Sequence, residues 1–336
     1  MIISWNITKA CQLKCRHCYR DAGTKDKDEL SHEEGMKLVE EIALAGFKIL
    51  ILSGGEPLLR ADVYDLIRHA RKHGMRPVLG TNGIMIDRAI ARKLKDAGLA
   101  RAGISLDSTD EAIHDDFRQQ IGSWKGSLAG MKACLDEGLD FQVHTTVTKY
   151  NYRDVEKITD LAVSLGAKAH HIFFLVPTGR GKDLEGVIPS HEYQLLLKKI
   201  LQKQKEVSIE LKPVCAPQFI PMMQDMNMPS RFVRGCLAGH SYCCILPNGD
   251  VHPCPYFPVK VGNVRNERFS VMWKDHPLFK ELREADYGGS CGGCGHKETC
   301  GGCRARAYAH SGNYMDFDPE CVYYGDGCAA DAAEQR

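Results

Sequence analysis

Over the first 180 residues, short continuous apolar runs alternate with longer stretches in which apolar residues recur every three or four positions. The first pattern suits strands covered on both faces, and the second suits the amphipathic helices that cover them. IISWNIT at 2–8 reads as a strand. The helix expected at 31–46 opens with Ser31 and Glu34 as a capping box, carries Leu38, Val39 and Ile42 on one stripe, and stops at Gly46. KILILS (48–53), RPVLG (76–80), RAGISL (101–106), DFQVHTTV (140–147) and AHHIFFLV (169–176) read as five further strands. Helical patterns at 62–74, 87–98, 127–138 and 154–166 fall between them, each ending at a glycine.

Six βα units predict a parallel sheet with helices outside it, either doubly wound or a barrel two units short of eight. No G-x-G-x-x-G opens a helix after a strand, and GRGKDLEG at 179–186 has only the first two glycines in place, which weakens a dinucleotide fold. The pattern changes near residue 212. Residues 212–230, rich in Pro and Met, read as a connection, and beyond Arg231 the chain is dense in Cys and Gly and poor in long helices. Such a segment needs metal to hold it. The expected division is a βα domain over 1–211, a connection over 212–230, a cysteine-rich domain over 231–328 and a tail over 329–336.

Charge narrows the partners. Lys plus Arg number 44 and Asp plus Glu 43, a net charge of +1, which gives no support for nucleic acid. The most apolar run, 49–52, is strand-sized, so no membrane partner is expected; MIISWNITKAC lacks the charged and apolar regions of a signal peptide, and a cytoplasmic location is expected. Fifteen cysteines, an odd count without a signal peptide, read as metal ligands rather than disulfides. Three fall at Cys11, Cys15 and Cys18 and eleven from Cys215 onward, with Cys134 between.

The chemistry-bearing residues follow the strands. The cysteine triplet follows the first, SGGEP (53–57) the second and TNG (81–83) the third; SLDS, TTVT and LVPTGRG close the fourth, fifth and sixth. These are the C-terminal strand ends, where parallel barrels build their sites. Turn residues alone explain any one of these features, but not the triplet and GGEP at the same pole. On spacing, three cysteines suit zinc completed by His17 or a distant thiol, or an iron–sulfur cluster with one iron left open.

Cys11-x3-Cys15-x2-Cys18 after the first strand, with GGEP after the second, resembles the radical SAM superfamily. The resemblance implies a partial (β/α)6 TIM-like barrel. It also implies a 4Fe–4S cluster on those cysteines and S-adenosylmethionine (SAM) on the open iron. Reductive cleavage of SAM would give a 5′-deoxyadenosyl radical that abstracts hydrogen from substrate. His17 would then lie near the adenine; Gly54, Gly55 and Glu56, followed by Pro57, would receive the methionyl amine; Asn82, Ser105, Asp107 and Thr146 would line the nucleotide site; Arg118 would pair with the SAM carboxylate, or be a surface charge.

The run Cys236 … Cys254, Cys291-x2-Cys294-x5-Cys300-x2-Cys303 and Cys321 resembles the SPASM extension, a small cysteine-rich iron–sulfur domain, and implies one or two auxiliary 4Fe–4S clusters, two favoured. One set would be Cys236, Cys243, Cys254 and Cys303, the other Cys291, Cys294, Cys300 and Cys321, with the choice between Cys243 and Cys244 open. Two residues separate Cys300 from Cys303 where the family has three. Cys134, Cys215 and Cys328 read as ordinary thiols, with Cys215 a possible hydrogen donor, and Arg304 and Arg306 as charges offsetting the clusters.

SWNITKACQLKCRHCYRDAG, HTTV, AHHIFFLVPTGRG and ELKPVCAPQF look like the NirJ-type proteins of heme d1 and alternative heme biosynthesis. That resemblance implies hydrogen abstraction from a propionate of a siroheme-derived or coproheme-type tetrapyrrole, with ferredoxin or flavodoxin as electron donor. Arg180 and Lys182 would pair with propionates, and His144, His170 or His171 would ligate the substrate iron. The alternatives are a SPASM peptide maturase, disfavoured because the first strand begins at Ile2 with no leader-gripping domain before it, and an iron–sulfur electron carrier, disfavoured by the intact GGEP.

Overall fold

In the computed structural model, residues 1–184 and 186–323 are described; the expected tail and Cys328 lie outside the described residues. Strands and helices alternate as β1 (Ile2–Thr8), α1 (His32–Leu44), β2 (Ile49–Gly54), α2 (Val63–Lys72), β3 (Arg76–Thr81), α3 (Arg88–Asp96), β4 (Arg101–Ser105), α4 (Glu111–Arg118), α5 (Ser123–Glu137), β5 (Phe141–Val147), α6 (Val155–Ser164), β6 (Ala169–Phe174), α7 (Ser190–Gln204) and β7 (Glu210–Val214). Neighbouring strands from β1 to β7 all pair in parallel. The capping box is formed: Ser31 Oγ accepts from the Glu34 N–H at 3.2 Å, and Glu34 Oε2 accepts from the Ser31 N–H at 2.7 Å.

The expected connection, 212–230, instead holds the end of a seventh strand, β7, and a helix, α8 (Phe219–Asp225). Pro213 hid the strand. It is tolerated because β7 is the edge of the sheet, where a missing donor breaks no ladder.

Beyond α8 the chain rejoins the same sheet. β8 (Tyr242–Ile245) pairs in parallel with β1, opposing Ser4 to Cys244, and β9 (Asp250–His252) and β10 (Gly262–Asn263) extend it antiparallel into one ten-stranded sheet. The unpaired edge of β1 is thereby covered. Helices α9 (Phe269–Asp275), α10 (Pro277–Glu284), α11 (Gly289–Gly292) and α12 (Arg304–Ser311) complete the cysteine-rich part. No described helix is long and apolar enough to cross a membrane.

The two faces of the barrel strands differ. Outward side chains such as Trp5, Leu52, Ile104, Val143 and Ile172 are fully buried and join Ile42, Leu66, Leu94 and Ile158 of the helices in one core. Each contributes about 1.5–3 kcal/mol by burial. Inward residues of β2, β5, β6 and β7, among them Ser53, His144, Phe173 and Lys212, are only half-buried. Gly80 and Gly103 stand on this inner face, and a Cβ at Gly103 would come within 2.3 Å of the His144 ring. The sheet thus wraps an accessible lumen rather than a packed centre.

Candidate active site and cysteine-rich centres

The cysteine triplet lies on the loop that leaves β1. The loop is closed at its base by the Cys11 N–H donating to Gly23 O (2.8 Å) and the Gly23 N–H to Lys9 O (3.0 Å). Arg180 braces it from beyond β6: Nε donates to Cys15 O at 2.9 Å, Nη1 to Ala22 O at 3.0 Å, and the Arg180 N–H to Cys18 O at 2.9 Å. Arg180 was expected to meet substrate; two of its guanidinium nitrogens support the cysteine loop's backbone, and the third, Nη2, is buried without a partner. Burial raises the Cys11 thiol to about 11 and also raises Cys15, against the pull of Arg118.

The GGE segment packs against the same loop. Gly54 has φ +139, and a Cβ there would stand 2.3 Å from Thr8 O; one at Gly55 would stand 2.2 Å from Ala10 O. The Gly55 and Glu56 N–H groups donate to Thr8 O and Ala10 O, both at 2.8 Å. Glu56 is fully buried and starts a short turn at Pro57; its carboxylate accepts from Thr81 Oγ1 (2.8 and 2.9 Å), the Asn82 N–H (3.0 Å) and the Leu58 N–H (3.2 Å). Burial raises it to about 7 against those bonds. Rather than facing a ligand, Glu56 ties the GGE turn to the end of β3.

Asp107, just past β4, is 1% exposed; it accepts from Arg118 Nε at 2.6 Å and from the Thr146 N–H at 2.9 Å. Arg118 Nη1 reaches Cys15 Sγ at 3.8 Å. At 8% exposed, Arg118 is no surface charge. Burial works to raise Asp107, but Arg118, His17 and His114 hold it below the usual carboxylate range. Ser105 Oγ donates to Thr81 O at 3.3 Å. The His17 ring stacks on Phe117 with centroids 4.2 Å apart, and burial, with Arg118, lowers it to about 3. Three buried polar atoms here have no hydrogen-bond partner, His17 Nδ1, Asn82 Nδ2 and Arg180 Nη2. An unpartnered amide and ring nitrogen beside three clustered thiols fit a nucleotide-bearing ligand on an iron–sulfur cluster.

Strand alternation separates the three histidines. His144 and His171 face the lumen, stacked at 5.5 Å, and Gln142 Nε2 lies 2.6 Å from His144 Nε2 and 3.2 Å from His171 Nδ1. His170 points the other way and does not join them. It is fully buried between Thr145 Oγ1 (2.8 Å) and Thr159 Oγ1 (3.0 Å), a satisfied core histidine. Lys182 lies on the turn Gly179–Lys182 behind the cysteine loop, and no ion pair or side-chain hydrogen bond holds it among the described residues.

In the cysteine-rich part, Cys236, Cys254 and Cys303 feel one another's charge, and Cys215 donates a hydrogen bond to Cys303. That bond, with Arg306, lowers Cys303 below the ordinary thiol range. Cys215 sits at φ +59, in the left-handed region that non-glycine residues avoid. Cys243 does not reach this group. On β8 it points into the core near Arg283, whereas Cys244 shares the inner face with Asn6, whose Nδ2 donates to its sulfur at 3.3 Å. A second set, Cys291, Cys294, Cys300 and Cys321, lines one cavity. Arg304 Nη2 lies 3.5 Å from Cys291 Sγ. Arg306 forms a two-pronged pair with buried Asp318 (2.7 and 2.8 Å), which also accepts from the Cys303 N–H at 2.7 Å. This arginine–aspartate bridge between the two sets has no local sequence signature.

Among the described residues, the one group of three or more His, Cys, Asp or Glu ligand atoms within 4.8 Å of one another is Glu40, His69 and His73.

Two family profiles match the chain. The Radical SAM superfamily profile matches residues 5–162, and that of the SPASM iron–sulfur cluster-binding domain matches 236–303. Over 337 residues the chain is 39% identical to the AdoMet-dependent heme synthase of Methanosarcina barkeri (strain Fusaro / DSM 804), covering 96% of each. It is 32% identical over 353 residues to the Fe-coproporphyrin III synthase of the same organism, covering 95% of this chain and 87% of that one. The crystal structure of Streptococcus suis SuiB bound to S-adenosylmethionine superposes with a TM-score of 0.79 at 18% identity, over 96% of this chain and 77% of that one, a likeness of fold alone.

Proposed function

The chain belongs to the radical SAM superfamily and carries its SPASM extension, and from that premise we propose that it abstracts hydrogen from a propionate of a siroheme-derived or coproheme-type tetrapyrrole on a route to heme. The observation that carries this reading is the 39% identity, over 96% of both chains, with a protein named for heme synthesis. The half-buried lumen, lined by His144, His171 and Lys212, supports a large polar ligand held beneath the cysteine loop.

A 4Fe–4S cluster on Cys11, Cys15 and Cys18, with SAM, supplies one-electron cleavage of a sulfonium and so a hydrogen-abstracting radical. The chain's residues do the rest. Asn82 and His17 offer unpaired nitrogens to the nucleotide. Arg118, balanced by Asp107, keeps positive charge against Cys15. Arg180 fixes the loop. The auxiliary sets are Cys236, Cys254 and Cys303 with Cys215, and Cys291, Cys294, Cys300 and Cys321, where buried Arg304 and Arg306 favour negative charge. On the substrate, one hydrogen atom passes to the SAM-derived radical, one electron to an external one-electron acceptor, and carbon dioxide leaves, which would convert a propionate carboxylate to a vinyl group. Removal of the whole side chain is the other outcome of the same first step. Ferredoxin or flavodoxin supplies the reducing electron.

The test is anaerobic incubation of reconstituted protein with SAM, reductant and, in turn, siroheme, didecarboxysiroheme and iron coproporphyrin, followed by mass analysis of the pigment. Loss of carboxyl or side-chain mass from one pigment, with deoxyadenosine formed, is expected. Unchanged pigments beside deoxyadenosine formed on a peptide would transfer the reading to a peptide maturase. No deoxyadenosine under any condition would leave an electron carrier.

A further inference from the structure

The mouth of the lumen opposite the cysteine loop is positively charged. Arg76 and Arg101 begin β3 and β4, Lys212 stands on β7, and Arg231 follows α8. Their charges converge on one neighbourhood: Arg101 is felt by Arg76 and Arg231, and His171 by Lys212, Arg101 and Arg231. Among the described residues Glu210 stands with them, paired with Arg231 and 3.6 Å from His171 Nε2. The other nearby acid, Asp140, is 4.0 Å from Lys168.

Arg101 and Lys212 form no ion pair among the described residues, though Asp140 acts on Arg101 from a distance. Arg101 Nη1 donates to Gln142 Oε1 at 3.2 Å, while its Nε is buried with no partner. Lys212 has no ion pair among the described residues; its ammonium lies 4.6 Å over the Phe232 ring. Burial lowers Lys212, and no neighbouring acid offsets it. Unpaired cations in a half-buried lumen are costly unless a ligand brings the missing charge.

The depth also fits. Four residue steps along β4 lead from Arg101 to Ser105, which lies at the level of the nucleotide-site residues. At strand rise this is about 13 Å, comparable with the width of a tetrapyrrole with its side chains. Gln142, His144 and His171 line the wall between, and the His144 ring lies over Gly103 of the adjoining β4.

We propose that this mouth is a carboxylate clamp in which Arg101 and Lys212 grip the propionates that do not react, holding the macrocycle on edge with its reacting side chain toward the cysteine loop. The inference rests on the tetrapyrrole reading and adds the end of the molecule that is held. The clamp acts through charge, so it distinguishes a free acid from its ester and Lys from Gln.

The experiment is an anaerobic absorbance titration of reconstituted wild type, Arg101→Gln and Lys212→Gln with iron coproporphyrin, with its tetramethyl ester and with an oligoglutamate peptide. Equal iron and sulfide content in all three proteins checks their fold, and Arg101→Lys and Lys212→Arg are the charge-preserving controls. The expected result is binding of the free acid by wild type, weakened about tenfold or more by each Gln variant and restored in part by the controls, with the ester equally weak in all. Equal free-acid affinity in wild type and both Gln variants would overturn the clamp while leaving the tetrapyrrole reading intact. Failure of wild type to bind any tetrapyrrole, with oligoglutamate bound and lost in Arg101→Gln, would overturn both.

Discussion

Arg118 Nε lies 2.6 Å from Asp107 Oδ2, and the far side of the same guanidinium reaches Cys15 Sγ at 3.8 Å. One buried cation thus joins the end of α4, the turn after β4 and the cysteine loop. Arg118→Met leaves the Asp107 carboxylate buried with the Thr146 N–H as its remaining charge-stabilising donor. A broken buried pair of this kind costs about 3–5 kcal/mol. Arg118→Met is expected to lower the thermal midpoint and to lose iron to a chelator faster than wild type. Asp107→Asn added to it is expected to recover part of the stability but not the iron retention. A single variant as stable as wild type would sink the argument.

Acid sensitivity follows from the buried histidines. Burial lowers His114 to about 4 and His170 to about 3, and also lowers His144 and His171. Below their ordinary value near 6.5 the unfolded chain binds protons that the folded chain refuses, so stability falls as pH drops toward the lowered values. Each fully buried histidine adds about 1.4 kcal/mol per pH unit. Glu56 opposes them: raised from 4.5 to about 7, it loses stability as pH rises through that window. Two raised carboxyls, Glu56 and Glu320, against seven lowered histidines, with His17, His240 and His252 beside these four, leave the net slope positive. Thermal midpoints between about pH 6.5 and pH 5 are expected to fall, and less steeply in His170→Gln. An identical slope in that variant would refute the assignment.

How much of this was legible beforehand differs by element. The six βα units were readable because strands buried on both faces appear as unbroken apolar runs, and helices carry capping and stripe signals. β7 was missed because Pro213 and alternating charges mark an edge strand that looks like a linker. The roles of His170 and His171, or of Cys243 and Cys244, were not readable from adjacency; a one-residue step reverses the face, and register becomes known only once β8 pairs with β1 and β5 with β6. Arg118 on a short helix reads equally as a partner of the SAM carboxylate or as a surface charge, because nothing local says that the end of α4 turns inward. The Arg306–Asp318 bridge joins a helix to a distant loop and leaves no pattern.

Arg180 separates a brace from a substrate contact. Arg180→Ala removes both guanidinium bonds to the carbonyls of Cys15 and Ala22. Water can replace part of this at a half-buried position, so the expected cost is about 1–3 kcal/mol. Iron release to a chelator is expected to quicken while affinity for iron coproporphyrin stays at the wild-type value. Loss of pigment affinity with unchanged iron retention would return Arg180 to the substrate.

Iron stoichiometry decides the first auxiliary set. Cys243 is fully buried in the apolar core, so Cys243→Ala creates a small cavity costing about 1 kcal/mol and is expected to keep wild-type iron. Cys236→Ala, Cys254→Ala and Cys303→Ala each remove a thiol from the mutually interacting group and are expected to lose iron. Cys215 is the informative position. Its backbone at φ +59 costs about 1–2 kcal/mol that glycine does not incur. If the thiol were incidental, Cys215→Gly would be more stable with unchanged iron. If Cys215 completes the set, the same substitution relaxes the backbone yet lowers the iron content to that of Cys303→Ala, and the second result is the one expected.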